Sequence, residues 1–124
     1  MKPDGFHTVT PRIVADDPVA LIAFLKKVFG ATGDVQEGRP AQIRIGDSLL
    51  LISGTGERPA FPAFLYVYVD DADSTYSRAL NSGASSVETV WDTPYGDRRG
   101  MVIDRWKNVW QIAQVARSTR QSRP

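Results

Sequence analysis

Apolar residues near the start of the chain recur at helical spacing between a polar start signal and a glycine. Asp17 suits the N-cap of a helix, and Pro18 suits the first helical position, where no backbone N–H is needed. Gly30 suits the C-terminal stop. The apolar positions that would face a core are Leu21, Ile22, Phe24, Leu25, Val28 and Phe29. The pattern predicts an amphipathic helix that begins after Asp17 and ends before Gly30.

The same pattern recurs about 54 residues further along the chain. Asp71 follows Asp70, as Asp17 follows Asp16, and is the expected N-cap. The segment ends in Gly83 and Ala84, as the first segment ends in Gly30 and Ala31. The predicted buried positions of this second helix are Ala72, Tyr76, Ala79 and Leu80. A repeat at a fixed offset indicates two related modules.

Short β-rich runs flank both helices. The predicted strands cover residues 8–14, 33–37, 41–45 and 48–53 in the first half, and residues 64–69, 86–90, 100–103 and 109–115 in the second. Each half therefore has the order β-α-β-β-β. We expect one domain over residues 1–124, with modules at about 7–53 and 63–115, a linker at about 54–62 and a flexible tail at 116–124.

Composition and charge restrict the classes of function. Hydrophobic residues make up 42% and charged residues 23% of the 124 residues, which is ordinary for a globular domain. Fifteen Lys and Arg against fourteen Asp and Glu leave a formal charge of +1, so a nucleic-acid partner is not expected. The first residues contain no apolar signal segment, and no run approaches the roughly 18 apolar residues of a membrane helix. The expectation is a soluble cytoplasmic protein without membrane contact.

Residue counts also limit the chemistry. The chain has no cysteine, which excludes disulfides, thiol nucleophiles and Cys-ligated zinc. His7 is its single histidine, so a three-His metal site within one chain is impossible. No spacing ties a serine or a carboxylate to a base, and the sequence therefore assigns no catalytic residue.

The strand predicted at residues 64–69 has two different faces. Its aliphatic face, suited to packing beneath a helix, consists of Leu65, Val67 and Val69, and its aromatic face consists of Phe64, Tyr66 and Tyr68. Core packing alone does not require three aromatic residues on one strand face. The alternation therefore indicates a surface suited to a ligand.

Three segments resemble a known family, the vicinal oxygen chelate superfamily. They are TPRIVADDP at residues 10–18 with FGA at 29–31, RIGDSLLL at 44–51, and YGDRRG at 95–100 with Asp104 and Trp110, the last being similar to the PhnB-like branch. The superfamily includes glyoxalase I, bleomycin-resistance proteins and extradiol dioxygenases. The resemblance covers about residues 7–115. It implies an α+β fold in which two βαβββ modules form a curved half-barrel sheet with helices on the convex face. It also implies a homodimer.

The resemblance also bears on metal binding. Metal-dependent members carry His, Glu or Gln ligands at equivalent concave positions, where the ion acts as a Lewis acid or binds oxygen. In this chain those positions fall on Val9, Phe64 and Gln111. Valine and phenylalanine offer no donor atom, and a neutral amide alone binds a divalent ion weakly. We therefore expect no metal and no cofactor.

Two alternatives remain open. A shifted metal site that combines His7 and Gln111 with Glu37 or Glu88 would make the protein a lyase, an isomerase or a dioxygenase. A cleft filled by its own side chains would instead indicate a dimeric module that binds a partner.

The function favoured by the sequence is metal-independent binding of a small, partly aromatic molecule in a resistance or sequestration role. An aromatic-lined cleft is the usual form of such a site. The predicted ligand-binding residues are Phe64, Tyr66, Tyr68, Trp91, Tyr95, Trp106 and Gln111. The Gln111 amide would orient the ligand, and Arg98 or Arg12 is a candidate to meet an anionic group.

Two turns of the second module carry further expectations. Asp97 and Arg98 would bracket a hairpin in which Gly96 and Gly100 permit positive φ, and the pair Arg98-Arg99 is interpreted as solvated charge. Before the last strand, residues 104–108 lack the proline and glycine that the family places there. Asn108 is the residue expected to tolerate the left-handed conformation in that turn.

Overall fold

The computed structural model describes residues 2–115, so the predicted tail at 116–124 lies outside the described residues. The chain divides into two compact units, Met1–Ala63 and Phe64–Pro124. The predicted linker at 54–62 belongs entirely to the first unit, where the backbone of Phe61 exchanges hydrogen bonds with that of Val14. No helix within the described residues is long and apolar enough to cross a membrane.

The first unit contains β1 (Arg12–Val14), α1 (Pro18–Phe29), β2 (Ala41–Ile45) and β3 (Ser48–Ser53). The sheet order is β1-β3-β2, with β1 parallel and β2 antiparallel to β3. The predicted caps of α1 are confirmed, because the Asp17 side chain accepts from Ala20 N–H and Gly30 takes a left-handed φ of 68°. Five of the six predicted apolar positions of α1 are buried, and Phe29 is half-buried.

Two predicted strands of the first module are wrong in extent or existence. β1 begins only at Arg12, directly after Pro11, which has no N–H to donate to a sheet. Val9 lies outside it and is 79% exposed. Residues 33–37 form no strand, and that part of the chain makes only isolated bridges, such as Thr32 with Arg44. The apolar side chain of this segment, Val35, is exposed, so a strand there would have no row of apolar side chains to bury.

The second unit contains β4 (Phe64–Tyr68), α2 (Ala72–Asn81), β5 (Ser85–Asp92), β6 (Asp97–Ile103) and β7 (Val109–Val115). It has the complete predicted order β-α-β-β-β, and the α+β class is confirmed. The sheet order is β4-β7-β6-β5, in which β4 runs parallel to β7 and the other pairs are antiparallel.

Helix α2 packs against β5, β6 and β7 of this sheet. The Asp71 side chain caps its first turn by accepting from Ser74 N–H, and Gln114 Oε1 of β7 accepts from Ala72 N–H at 2.6 Å. The buried positions of α2 are Ala72, Thr75 and Ala79, whereas the predicted Tyr76 and Leu80 are half-buried.

Gly100 has a different role from the one predicted. Gly96 takes a positive φ of 97°, as the hairpin interpretation requires, but Gly100 lies inside β6 without a positive φ. A Cβ atom at Gly100 would lie 2.8 Å from ring carbon Cδ1 of Tyr76 and 2.8 Å from Cγ2 of Val90. Glycine is therefore needed here for the close approach of α2 to the sheet and not for its φ freedom.

The turn between β6 and β7 is organised by Asp104, which is buried. Its carboxylate accepts hydrogen bonds from the backbone N–H of Trp106 and of Asn108, from the Asn108 side-chain amide and from the indole N–H of Trp110. The left-handed residue is Lys107, with a φ of 72°, and not Asn108. Asn108 is fully buried, and its amide is committed to the Asp104 carboxylate.

We expect Lys107→Gly to stabilise the protein by about 0.5–1 kcal/mol. The substitution removes the strain of a side chain at positive φ, which outweighs the extra entropy that glycine gives the unfolded chain. Urea denaturation of the two proteins checks this. A lower midpoint for the glycine variant at unchanged m-value would contradict it.

Candidate ligand-binding face

The sheet of the second unit has one face against α2, and the aromatic row of β4 points to the other. Residues paired across neighbouring strands point to the same face of a sheet. Tyr66 is in register with Gln111 of β7, which is in register with Met101 of β6. Tyr68 is in register with Ala113, which pairs with Arg99. This surface, opposite α2, is called the ligand face below.

Two tyrosines and one aspartate form a hydrogen-bonded cluster on the ligand face. Tyr66 Oη donates to Asp97 Oδ2 at 2.6 Å, and Tyr68 Oη donates to the same oxygen at 2.9 Å. The two rings lie 5.3 Å apart between centroids and are tilted by 54°. Tyr68 is 61% exposed and Tyr66 37%, whereas Asp97 is only 8% exposed. Tyr66, Tyr68 and Asp97 are called the tyrosine–aspartate cluster below.

The β5–β6 turn fixes the position of Asp97. Thr93 N–H donates to the backbone carbonyl of Asp97 at 2.8 Å, and the Thr93 hydroxyl both donates to that carbonyl and accepts from Asp97 N–H. Gly96, at positive φ, closes the turn by donating to the Thr93 carbonyl. The carboxylate is therefore held at the start of β6, beneath both phenols.

The cluster keeps both phenols protonated. Burial of the Tyr66 hydroxyl and its hydrogen bond to Asp97 raise the pKa of Tyr66 far above its usual value. The hydrogen bond to Asp97, followed by burial, raises the pKa of Tyr68 as well. A phenol with a raised pKa remains a neutral hydroxyl at physiological pH and is not an activated base or nucleophile.

Arg99 lies next to the cluster but is already occupied. Its Nη1 donates to the Tyr95 hydroxyl at 2.8 Å, and its Nη2 forms an ion pair with Glu88 Oε1. Burial opposes the charge on Arg99, but the hydrogen bond and charge of Glu88 reverse this effect and raise the pKa of Arg99. The guanidinium side chain is only 12% exposed, so the interpretation of Arg99 as solvated charge is wrong.

Arg98 points to the other face of the sheet and is paired there. Its guanidinium makes two bonds to Asp73 of α2, at 2.8 and 3.1 Å, and a third to Asp92 of β5 at 3.1 Å. The hydrogen bond from Arg98 lowers the pKa of Asp73, and the two carboxylates raise the pKa of Arg98. Arg98 therefore joins α2 to the β5–β6 hairpin and is not free to meet an anionic ligand. The other candidate, Arg12, lies in the first unit and donates to Ser53 Oγ.

The structure brings most of the predicted ligand-binding residues to the ligand face. Phe64 is 65% exposed and shares the β4 row, and Trp91 is in register with Arg99 and 42% exposed. Tyr95 lies in the β5–β6 turn and contacts the face through Arg99. Trp106 is the exception. It lies in the turn after β6, at the far end of a seven-residue strand from Tyr95, which is about 20 Å of extended chain.

Apart from Gln111, the polar residues of the ligand face are not among the ligand-binding residues that the sequence predicts. The sequence predicts Asp97 as a hairpin residue, Arg99 as solvated charge, and Glu88 only as a contributor to a shifted metal site. A signal for them does exist, because Asp97, Arg99 and Met101 occupy alternate positions of β6 and therefore share one face of that strand. Assigning that face to the same side as Tyr66 required the strand register.

Donor groups for a metal ion do not assemble in the described residues. Within residues 2–115, no group of three or more His, Cys, Asp or Glu side chains is placed to hold an ion. His7 is exposed in irregular chain of the first unit, outside any strand. In the second unit, Glu88 is held by Arg99. Val9 and Phe64 offer no donor atom and Gln111 offers only a neutral amide, so these residues do not fit a divalent ion.

The fold and the site define a class of α+β protein in which a βαβββ unit presents an aromatic sheet face. A family model for the Glyoxalase/Bleomycin resistance protein/Dioxygenase superfamily matches residues 5–112. The chain belongs to this superfamily, which confirms the resemblance to vicinal oxygen chelate proteins. Assignment to the PhnB-like branch stays a prediction.

Relatives of the chain include an uncharacterized protein and two solved structures. Uncharacterized protein Mb0911c of Mycobacterium bovis is 29% identical over 130 residues, covering 88% of this chain and 84% of that protein. TioX from Micromonospora sp. ML1 is 22% identical with a TM-score of 0.75, covering 88% of this chain and 98% of that one. The fosfomycin resistance protein FosX from Mesorhizobium loti is 18% identical with a TM-score of 0.66, covering 94% of this chain and 98% of that one. At these identities the two structures show a shared fold.

Proposed function

We propose that the protein binds a small, partly aromatic molecule on the ligand face, without a metal ion, in a sequestration or resistance role. The observation that carries this proposal is the tilted pair of Tyr66 and Tyr68, whose rings remain 37% and 61% exposed on the sheet face opposite α2. Tilted aromatic pairs offer flat contact area at low entropic cost to a planar ligand.

The surroundings of the tyrosine pair support binding more than catalysis. Phe64 and Trp91 extend the aromatic surface, and the Gln111 amide, in register with Tyr66, offers both a donor and an acceptor to fix orientation. Both phenols hold their protons firmly. The resistance role draws support from the name of FosX, a fold relative that is itself described as a resistance protein. A homodimer remains a prediction.

The metal-dependent alternative has no comparable support. It combines His7 and Gln111 with Glu37 or Glu88, and no group of three His, Cys, Asp or Glu side chains placed to hold an ion is found among residues 2–115. We therefore derive no reaction step through a metal ion.

A thermal-shift screen of aromatic metabolites and antibiotics, run on protein dialysed against EDTA, tests the proposal. We expect at least one aromatic compound to stabilise the metal-free protein. We also expect Tyr66→Ala and Tyr68→Ala to weaken its binding about tenfold in calorimetry, because each removes a ring from the contact surface.

The control is Tyr76→Phe. It deletes the phenol hydroxyl of an α2 residue, which is hydrogen-bonded to Ser86 on the sheet face that α2 covers. Binding should be unchanged in that variant. The proposal is overturned if no aromatic compound stabilises the protein, or if binding appears only after a divalent ion is restored.

A further inference from the structure

We propose that the tyrosine–aspartate cluster selects ligands whose polar group is a protonated amine attached to an aromatic body. This inference rests on the binding function proposed above. It adds that the ligand is a cation and that its polar group donates hydrogen bonds. It follows from the donors and acceptors, the charges and the ring geometry of the ligand face.

The cluster presents acceptors to a ligand and has few donors to offer. Each tyrosine hydroxyl has one proton, and both protons are directed at Asp97 Oδ2, at 2.6 and 2.9 Å. The two phenol oxygens can therefore only accept a hydrogen bond from a ligand, and the Asp97 carboxylate can also only accept. A ligand group that donates N–H bonds matches this arrangement, whereas a carboxylate or phosphate would place acceptors against acceptors.

The charges on the same face favour a cation. Among its described residues, the charge of Arg99 is balanced by its ion pair with Glu88, whereas the formal charge of Asp97 has no ion-pair partner. Arg98 points to the opposite face, where Asp73 and Asp92 hold it. The local balance is therefore one negative charge, although the whole chain carries a formal +1.

The ring geometry suits a cation as well. An ammonium group is attracted to the face of an aromatic ring within about 6 Å of its centroid. The Tyr66 and Tyr68 centroids are 5.3 Å apart, so one small ammonium group can lie within that range of both. Asp97 lies beneath the hydroxyls and is mostly buried, so it acts on the ligand through the tyrosines and through space and not by direct contact.

A matched series of indoles tests this inference. Tryptamine, tryptophol and indole-3-propionate share a ring and a two-carbon spacer and end in an ammonium, a hydroxyl and a carboxylate group. We expect calorimetry at neutral pH and low salt to rank their affinities in that order, with tryptamine binding about tenfold more tightly than indole-3-propionate.

Asp97→Asn keeps the size of the side chain and removes its charge, so the preference for tryptamine should fall to within about threefold. Asp92→Asn is the matched control, because it removes the same charge from the same hairpin but on the opposite face. The control should keep the full preference. Loss of the preference in both variants would show a general charge effect and would overturn the role of Asp97.

Two further results would contradict the inference in distinguishable ways. If the three indoles bind equally, or the carboxylate binds most tightly, while Tyr68→Ala still weakens all of them, the amine preference fails and the proposed binding function stands. If none of the indoles binds and the aromatic screen also finds no compound, both proposals fail together.

Discussion

Replacing Asp104 by alanine is expected to lower the free energy of unfolding by about 3–4 kcal/mol. The Asp104 carboxylate accepts from the Trp110 indole N–H at 2.9 Å and from the Asn108 amide at 3.0 Å, and both of these side chains are fully buried. Each buried donor left without an acceptor costs about 1–3 kcal/mol. For a chain of this length, the loss corresponds to a decrease in melting temperature of roughly 10–15 °C.

Denaturation by urea and by heat measures this effect, and Asp47→Ala is the control. Asp47 is an exposed carboxylate that accepts a long bond, 3.4 Å, from the Ser48 hydroxyl, so its removal should change stability by less than about 0.5 kcal/mol. Equal losses in the two variants would mean that the buried bonds of Asp104 do not stabilise the turn.

Asp97→Asn is expected to shift the alkaline titration of two of the four tyrosines to lower pH. The substitution removes the negative charge that disfavours ionisation of Tyr66 and Tyr68. The pKa of Tyr68 should fall more than that of Tyr66, toward the usual value of about 10, because the hydrogen bond to Asp97 is the main cause of the raised pKa of Tyr68. Burial, which is the main cause of the raised pKa of Tyr66, remains in the variant. Tyrosinate absorbance near about 295 nm, recorded as pH is raised, measures the change.

The same shifts predict how stability depends on pH. A phenol whose pKa is higher in the folded than in the unfolded state stabilises the fold fully below the unfolded pKa of about 10, and this contribution is lost as pH rises above it. The wild-type protein should therefore lose stability above about pH 10 more steeply than Asp97→Asn. Identical titration curves and identical alkaline losses would show that Asp97 does not hold these protons.

The elements that could be predicted from the sequence are those whose signals are local. The caps at Asp17 and Asp71 and the strands at residues 41–45, 48–53 and 109–115 depend on neighbouring residues, and the structure reproduces them. The strand predicted at residues 8–14 was too long, since it forms only from Arg12 onward, after Pro11. The strand predicted at residues 33–37 does not form, because its apolar residue Val35 is exposed and the segment has no row of apolar side chains to bury.

The candidate site shows a similar division. The aromatic row of β4 could be predicted from alternation alone, since it needs only the side-chain period of one strand. Asp97 could not, because its role depends on the β5–β6 turn and on the register that places β6 opposite β7 and β4. The left-handed conformation of Lys107 could not be predicted for a related reason. Asn108 is the better residue for a left-handed position by type, but burial of its amide on Asp104 decides otherwise.

The sheet order β4-β7-β6-β5 has a consequence for biosynthesis. Among the described residues, β7 is the last strand in chain order but occupies an inner position of the sheet, and β4, which carries Tyr66 and Tyr68, lies at the edge and pairs with β7. On the ribosome, β4 emerges well before its partner and must wait for most of the second unit to be translated. Such a late, long-range pairing slows folding and leaves the aromatic residues of β4 exposed in the nascent chain. Release of residues 109–115 from the exit tunnel is therefore the step that completes the ligand face.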